Sequence, residues 1–383
     1  MRSTTLLAVW LSPVVVTAMP QADPKSGMSS WAASYFPNAR SGHNAWLDPQ
    51  NDKTCSCPPL KSSTPSLIKP ANCPDPKTIP NAKGTLKDNE CLVGGIMGGD
   101  FFNPCYAPDL RNGLGPGSGG RSVSDWSGGS GPHKAQFFTD PSLPNHTIYA
   151  PKTPVTGKKL PLLVWANGAC ESDGSAFSNF LTEIASHGFI VLANGKPSKV
   201  WGKGGFSMPG GEKSRAAQLT KSIDWAEKGG AAKFGEIDMS NVAVAGQSCG
   251  GVEAYSASVY EPRVKLIGIF NTGVIDPARR WMLKDIKQPI GYFYGGKVDF
   301  SESFITQDFR EIPASLPAMM SSLPVGHGGT FSEANGGKFG KAAVAFFKWN
   351  LQGDAASKDL YFNKTSALYK DGWTIDTAHW TQK

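Results

Sequence analysis

Ser248 stands in a sequence context typical of a catalytic nucleophile. It lies in Gly246-Gln-Ser-Cys-Gly250, which matches the pattern G-x-S-x-G. A serine hydroxyl is a weak nucleophile that needs a base, and the base needs an acid to orient it. Asp299 follows the run PIGYFYGGKV, and His327 lies between glycines in SLPVGHGGTF. Serine, acid and histidine therefore occur in the chain order of a triad for acyl transfer.

Each of these residues has an alternative role. Ser248 could cap the helix that is predicted to follow it, and His327 could be a loop histidine without a catalytic function. Asp299 could be a solvated turn carboxylate. Asp276, which follows the preceding predicted strand, is a rival for the acid, and His379 is the only other histidine after Ser248.

The reaction also needs N–H donors for the oxyanion that develops on the substrate. One candidate is the backbone N–H of Cys249, directly after the serine. The second is the N–H of Ala169, in the stretch NGACESDG that follows the apolar run LPLLVWA. The alternative for this stretch is a plain glycine turn.

Two cysteines adjoin these predicted donors. Cys170 follows Ala169, and Cys249 is itself the other donor. Both loops must lie side by side if their N–H groups are to reach one oxygen. We therefore predict a disulfide between Cys170 and Cys249, with two buried thiols or a reactive Cys249 as the alternatives.

Alternating strands and helices must position these residues. From about His133 onward, apolar runs that end at glycine alternate with segments of helical spacing, which predicts an α/β fold with a mainly parallel sheet and helices on both faces. The predicted buried strands are KLPLLVWANG, FIVLANG, NVAVAG, VKLIGIFNTG and PIGYFYGG. An apolar strand enters the Ser248 motif and a helix leaves it, which is the setting of a nucleophile elbow.

Several large side chains are candidates for a substrate cleft. Ligands of parallel sheets bind at the carboxyl edge of the strands. Trp201, Phe206 and Met208 lie in a glycine-rich loop after FIVLANG, and Trp281 follows VKLIGIF. Ordinary packing explains these four residues equally well.

The first residues, 1–18, have the pattern of a secretory signal peptide. Arg2 precedes a short apolar run, and small residues stand before the predicted cleavage after Ala18. A membrane anchor is the alternative, but the run is too short to span a bilayer and contains Pro13. We expect a secreted, extracellular protein without a membrane span. The glycosylation sequons at Asn145 and Asn363 are compatible with export.

Residues 19–130 differ in composition from the rest of the chain. They are rich in glycine and proline and contain five of the seven cysteines, which predicts a disulfide-pinned lobe or an arm wrapped on the main domain. The Cys55-Ser-Cys57 spacing is a weak zinc signal, because structural zinc sites favour a two-residue gap and no histidine pair follows. Residues 131–383 form the predicted catalytic domain.

The charge pattern argues against a nucleic-acid partner. The formal net charge is +7, but lysines and arginines are spread along the chain without a long run. The sequence also calls for no metal and no organic cofactor.

Several separated motifs resemble a known family. LPLLVWANGAC, FLTEIASHGFIVLANG, VAVAGQSCGG, IGIFNTG and VGHGGTF are similar to secreted fungal and bacterial α/β-hydrolases, a family akin to dienelactone hydrolases, chlorophyllases and cutinase-like polyester hydrolases. The resemblance covers about Gly131 to Asp354. It implies the α/β-hydrolase fold and a triad of Ser248, Asp299 and His327, which favours Asp299 over Asp276. The segment GGKVDFSES is more polar than the family pattern.

Together these patterns predict a secreted serine esterase that acts on carboxylic esters through an acyl-enzyme. Small aryl or acyl esters, lipids, and plant-wall or polyester esters are all compatible substrates. Two alternatives stay open. One is a catalytically silent binding protein on the hydrolase scaffold. The other is an esterase that its N-terminal extension targets to a polymer.

Overall fold

A nine-stranded sheet lies at the centre of the computed structural model, which describes residues 124–202, 214–275, 280–377 and 379–380. The strands are β1 (Ala135–Phe138), β2 (His146–Pro151), β3 (Val155–Ala166), β4 (Ile190–Asn194), β5 (Gly235–Gln247), β6 (Val264–Phe270), β7 (Ile290–Tyr294), β8 (Ala318–Ser322) and β9 (Thr374–Asp376). Their order across the sheet is β1-β2-β4-β3-β5-β6-β7-β8-β9.

The six central strands, β4, β3, β5, β6, β7 and β8, run parallel to one another. The outer strands β1, β2 and β9 pair antiparallel. A parallel pair needs a crossover between its strands, and helices supply most of these crossovers. The prediction of an α/β fold with a mainly parallel sheet is confirmed.

Eight helices pack around this sheet in the described residues. They are α1 (Ser178–Ser186), α2 (Ala216–Glu227), α3 (Cys249–Tyr260), α4 (Met282–Asp285), α5 (Glu302–Glu311), α6 (Gly337–Gln352), α7 (Ala355–Phe362) and α8 (Ala367–Lys370). Short 3₁₀ turns connect some of the elements, and one of them, Gly168–Cys170, follows β3.

Hydrophobic cores cover both faces of the sheet, because successive side chains of a strand point to opposite faces. In β3, Leu162 and Val164 pack into the core that also contains side chains of α2, α3, α4 and α5. Leu163 and Trp165 point the other way, into an aromatic-rich core with α1 and α6. Burial on both faces explains why β3 is an unbroken apolar run in the sequence.

Part of the predicted N-terminal extension packs on the sheet domain. The backbone N–H of Asp125 donates to Asn179 of α1 at 2.8 Å, and Trp126 packs against Phe137 of β1. Both residues precede the predicted boundary at residue 131. The predicted signal peptide, the five early cysteines and the rest of the predicted extension up to residue 123 lie outside the described residues.

Across the described ranges, none of the helices combines the length and apolar character that a bilayer span requires.

Candidate active site

Ser248 lies between the end of β5 and the start of α3, in a strained backbone conformation. Its φ is 53° and its ψ is −120°, and a positive φ is uncommon for a residue with a side chain. A Cβ atom at Gly246 would collide with the backbone of Gly250, and one at Gly250 would collide with the carbonyl of Ala166. The two glycines of the motif are therefore required by close backbone approach, and Ser248 stays partly exposed between buried neighbours.

His327 and Asp299 form a buried pair at the same edge of the sheet. The His327 Nδ1 atom lies 2.9 Å from Asp299 Oδ1. Asp299 Oδ2 accepts hydrogen bonds from Asn271 Nδ2 at 2.7 Å and from the N–H of Gly295 at 3.0 Å. Asp299 Oδ1 also accepts from the backbone and hydroxyl of Ser301. The carboxylate is thus held by four groups besides the imidazole ring.

These contacts set the charge state of Asp299. Burial by itself would raise the pKa of this carboxyl. The positive charge of a protonated His327 and the hydrogen bonds from His327, Gly295 and Asn271 outweigh burial and hold the pKa of Asp299 well below its usual range. Asp299 is therefore ionised at neutral pH.

The sheet topology brings the serine and histidine loops to one place. β5, β6, β7 and β8 are adjacent and parallel, so their carboxyl ends meet at the same edge. The Gln247 side-chain amide donates to the His327 carbonyl at 3.1 Å. The residue before Ser248 thus contacts the backbone of the predicted base.

Two residues beside this pair were not predicted from the sequence. Asn271, directly after β6, has a φ of 50° and donates to Asp299. Phe300 stacks on the His327 ring at 4.3 Å between ring centroids. The signal for Asn271 was its place after a predicted strand, and the signal for Phe300 was its place next to Asp299.

The predicted oxyanion loop lies against the start of α3. Cys170 and Cys249 are disulfide-bonded, with their Cα atoms 5.2 Å apart. Ala169 and Cys170 have φ values of 54° and 48°, so two consecutive non-glycine residues adopt the left-handed conformation. The close approach of Gly250 to the Ala166 carbonyl brings the two loops together.

Asn167 is the internal support of this loop. Its Nδ2 group donates to the carbonyls of Glu171, Asp173 and Asn194 at 2.8 to 3.0 Å. Its Oδ1 accepts from Trp165 Nε1 at 3.1 Å. Three carbonyls around one amide hold the chain in a tight turn after β3.

The described candidates for the substrate cleft make packing contacts. Trp201 lies against Trp126 and Phe137, at centroid distances of 5.0 and 5.4 Å. Trp281 is 7% exposed and belongs to the core beside α4. Phe206 and Met208 lie outside the described residues, as does the rival acid Asp276.

The asparagine of each predicted glycosylation sequon is exposed. Asn145 is exposed in the connection between β1 and β2. Asn363 is exposed at the end of α7, where its Oδ1 accepts hydrogen bonds from the backbone and hydroxyl of Thr365.

No metal-binding cluster of three or more histidine, cysteine, aspartate or glutamate side chains occurs in the described ranges. The chain matches no protein-family model. No curated protein matches it either.

Proposed function

We propose that this protein is a serine esterase with the α/β-hydrolase fold. The main support is the buried His327–Asp299 pair, which lies on loops at the same sheet edge as Ser248. The order of the three residues and the strained turn at Ser248 agree with a nucleophile elbow. A helix cap would not require a positive φ at Ser248, because N-cap residues favour the extended region.

The proposed reaction is acyl transfer to water. Ser248 attacks the ester carbonyl, and His327 takes the hydroxyl proton on Nε2 while Nδ1–H donates to Asp299. The imidazolium then gives this proton to the leaving alcohol. Water then attacks the acyl-enzyme. His327 takes a proton from this water and gives it to the Ser248 oxygen, which leaves as the hydroxyl while the carboxylic acid is released. The ionised Asp299 holds the ring in the required tautomer and stabilises its charge.

The oxyanion is stabilised by the backbone N–H groups of Ala169 and Cys249 in this proposal. The Cys170–Cys249 disulfide and the Asn167 amide hold the two loops together. Donors fixed before the reaction need no reorganisation as charge develops, which is the source of their catalytic effect.

The substrate is proposed only as a class, a carboxylic ester. Small aryl or acyl esters, lipids and plant-wall or polyester esters are candidates. The predicted signal peptide favours a secreted enzyme, with which the sequons are compatible. The alternatives to be tested are a catalytically silent binding protein and an esterase that its N-terminal extension targets to a polymer.

The test compares the purified full chain with Ser248→Ala and with Ser240→Ala. Ser240 lies in the same strand but is exposed and hydrogen-bonded to Asp238, so it is a matched control. Hydrolysis of short and long p-nitrophenyl esters should fall by a factor on the order of 10⁴ or more in Ser248→Ala and stay unchanged in Ser240→Ala.

A fluorophosphonate probe distinguishes a narrow substrate range from a dead site. Labelling of Ser248 without turnover of any test ester would mean a competent nucleophile whose substrate is missing from the panel. Absence of both labelling and turnover would overturn the esterase proposal and favour the binding protein. Binding of the full chain to insoluble polysaccharide, compared with a chain lacking residues 19–123, tests the targeting role.

A further inference from the structure

Glu253 is a buried carboxyl group that the proposed mechanism does not use. It lies in α3, four residues after Cys249, and its exposed fraction is 0%. Its carboxyl accepts hydrogen bonds from the Ser214 hydroxyl at 2.9 and 3.2 Å and from Asn194 Nδ2 at 3.3 Å. Buried carboxylates are costly unless a cation pairs with them.

No such cation is found for Glu253 in the described part of the chain. Among the described residues, the side chains that hydrogen-bond to its carboxyl are Ser214, ahead of α2, and Asn194, at the end of β4, and neither is charged. Burial raises the pKa of Glu253 to about 8, and the hydrogen bonds from Ser214 and Asn194 only partly oppose this rise. With a pKa of about 8, the Glu253 carboxyl is mostly protonated at pH 7.

The Asn194 amide can pair with Glu253 in either protonation state. Its Oδ1 atom is buried and has no hydrogen-bond partner among the described groups. A rotation of the amide by half a turn would bring this oxygen towards Glu253 Oε2, where a neutral carboxyl can donate to it. An ionised carboxylate could only accept.

Hydrogen bonds and the disulfide connect Glu253 to the predicted oxyanion loop in a closed circuit. Glu253 accepts from the Ser214 hydroxyl, and the Ser214 N–H donates to the Cys170 carbonyl at 2.8 Å. Cys170 is bonded to Cys249, which begins α3. Cys249 and Glu253 are four residues apart, so they share one face of the helix.

These connections end at a strained segment of the predicted oxyanion loop. Ala169 and Cys170 have φ values of 54° and 48°, a conformation that persists only when surrounding contacts enforce it. Asn167 holds the loop from the strand side, through three carbonyls. Ser214 and the disulfide hold the Cys170 end.

We propose that Glu253 is a positioning residue of the oxyanion loop: through Ser214 and Cys170 it holds the Ala169 N–H in the orientation that binds the oxyanion. The inference rests on the proposed esterase function. Because Glu253 is fully buried and hydrogen-bonded to Ser214 and Asn194, we expect it to act through the loop and to change kcat more than KM.

The inference has a defined pH dependence. A group with a raised folded-state pKa contributes stability that is fully present below its unfolded pKa and is lost as pH rises through the folded value. The folded pKa of Glu253 is about 8. Rising pH should therefore lower the melting temperature, and above about pH 8 it should also loosen the oxyanion loop.

The experiment compares the full chain with Glu253→Gln, Glu253→Leu and Glu236→Gln. Glutamine keeps the neutral hydrogen-bonding shape at all pH values, and leucine removes the hydrogen bonds. Glu236 is exposed and forms an ion pair with Lys159. It lies at the start of β5, whereas Ser248 follows the other end of this strand, so Glu236→Gln is the control. Melting temperature is measured from about pH 4 to about pH 9, which covers the interval between the unfolded and folded pKa values of Glu253, and kcat and KM for p-nitrophenyl acetate are measured from about pH 6 to about pH 9.

We expect the wild type and Glu236→Gln to lose melting temperature as pH rises to about 8, and to lose kcat above about pH 8 as the carboxyl ionises, whereas Glu253→Gln should show neither loss. We expect Glu253→Leu to lower kcat about tenfold with little change in KM, because a misplaced donor acts mainly in the transition state. If Glu253→Gln shows the wild-type pH dependence of melting temperature, the inference is overturned. A folded Glu253→Leu variant with unchanged kcat also overturns it.

The two proposals fail in distinguishable ways. The melting-temperature comparison needs no catalysis. It therefore tests the charge state of Glu253 and the contribution of its hydrogen bonds to stability even if no ester is hydrolysed. Absence of both labelling and turnover in every protein, with the expected difference in melting temperature, would count against the esterase function alone.

Discussion

Asn271 donates a hydrogen bond to Asp299 Oδ2 at 2.7 Å, so the residue after β6 supports the carboxylate that follows β7. The opposite oxygen of Asp299 faces His327 at 2.9 Å. Neighbouring strand ends thus hold the acid from one side and present it to the imidazole on the other. A carboxylate fixed in this way can orient a catalytic histidine.

The first prediction concerns Asp299. Asp299→Asn keeps the shape of the side chain but favours the wrong tautomer of His327. We expect kcat for p-nitrophenyl esters to fall by a factor on the order of 10⁴, with a smaller change in KM. Circular dichroism should show an unchanged fold. A fully active variant would exclude Asp299 as the triad acid and return attention to Asp276.

The second prediction concerns acid stability. The pKa of Asp299 is held below its usual range in the folded state, so its ionised form contributes stability above the unfolded pKa of about 4. This contribution is lost as pH falls through the lower folded value. The free energy of unfolding should therefore drop more steeply on acidification in the wild type than in Asp299→Asn. Parallel urea-unfolding curves for the two proteins from neutral to acid pH would contradict this.

The third prediction separates the hydrogen bond of Asn271 from its backbone conformation. Glycine accepts a φ of 50° without strain, whereas alanine does not. We expect Asn271→Gly to lose about tenfold in kcat, because a hydrogen bond to a charged group is lost. Asn271→Ala should add a loss of about 1–2 kcal/mol in the free energy of unfolding. Equal stability of the two variants would argue against backbone strain at this position.

The fourth prediction concerns the disulfide. Cys170 and Cys249 are 79 residues apart in sequence, and a bridge over a long loop restricts the unfolded chain. The double variant Cys170→Ser/Cys249→Ser should lose about 2–4 kcal/mol of unfolding free energy. Its kcat should fall more than its KM changes, because the oxyanion loop is less well fixed.

A control for this variant is treatment of both proteins with a thiol reductant. In the wild type, the reductant should lower the unfolding free energy and kcat as the double substitution does. In the double variant, it should cause a smaller further decrease. A double variant with wild-type stability and kcat would show that the bridge supports neither the fold nor the site.

The elements near Ser248 were predictable from the sequence because their signals are local. Buried parallel strands are continuous apolar runs, such as LPLLVWA before Asn167, and glycines mark their ends. The G-x-S-x-G motif stands between such a strand and a helix, so its turn followed from a few consecutive residues. The order of Ser248, Asp299 and His327 supplied the triad hypothesis.

Contacts between distant residues were decided only by the tertiary structure. Glu253 lies in a helix whose sequence gives no sign that its carboxyl faces Ser214 and Asn194, 39 and 59 residues away. Asn271 meets Asp299 across adjacent strand ends. Trp201 and Trp281 were cleft candidates by position, and only the tertiary structure showed that each packs against core side chains.

The sequence by itself determined the local elements, the tight turn at Ser248 between a strand and a helix, and the residue types of the candidate site, because periodicity and turn chemistry depend on near neighbours. The tertiary structure decided which polar groups are buried together, and therefore which of them are charged. Burial and hydrogen-bond partners depend on how the strands are ordered across the sheet, and that order follows from packing of the whole chain.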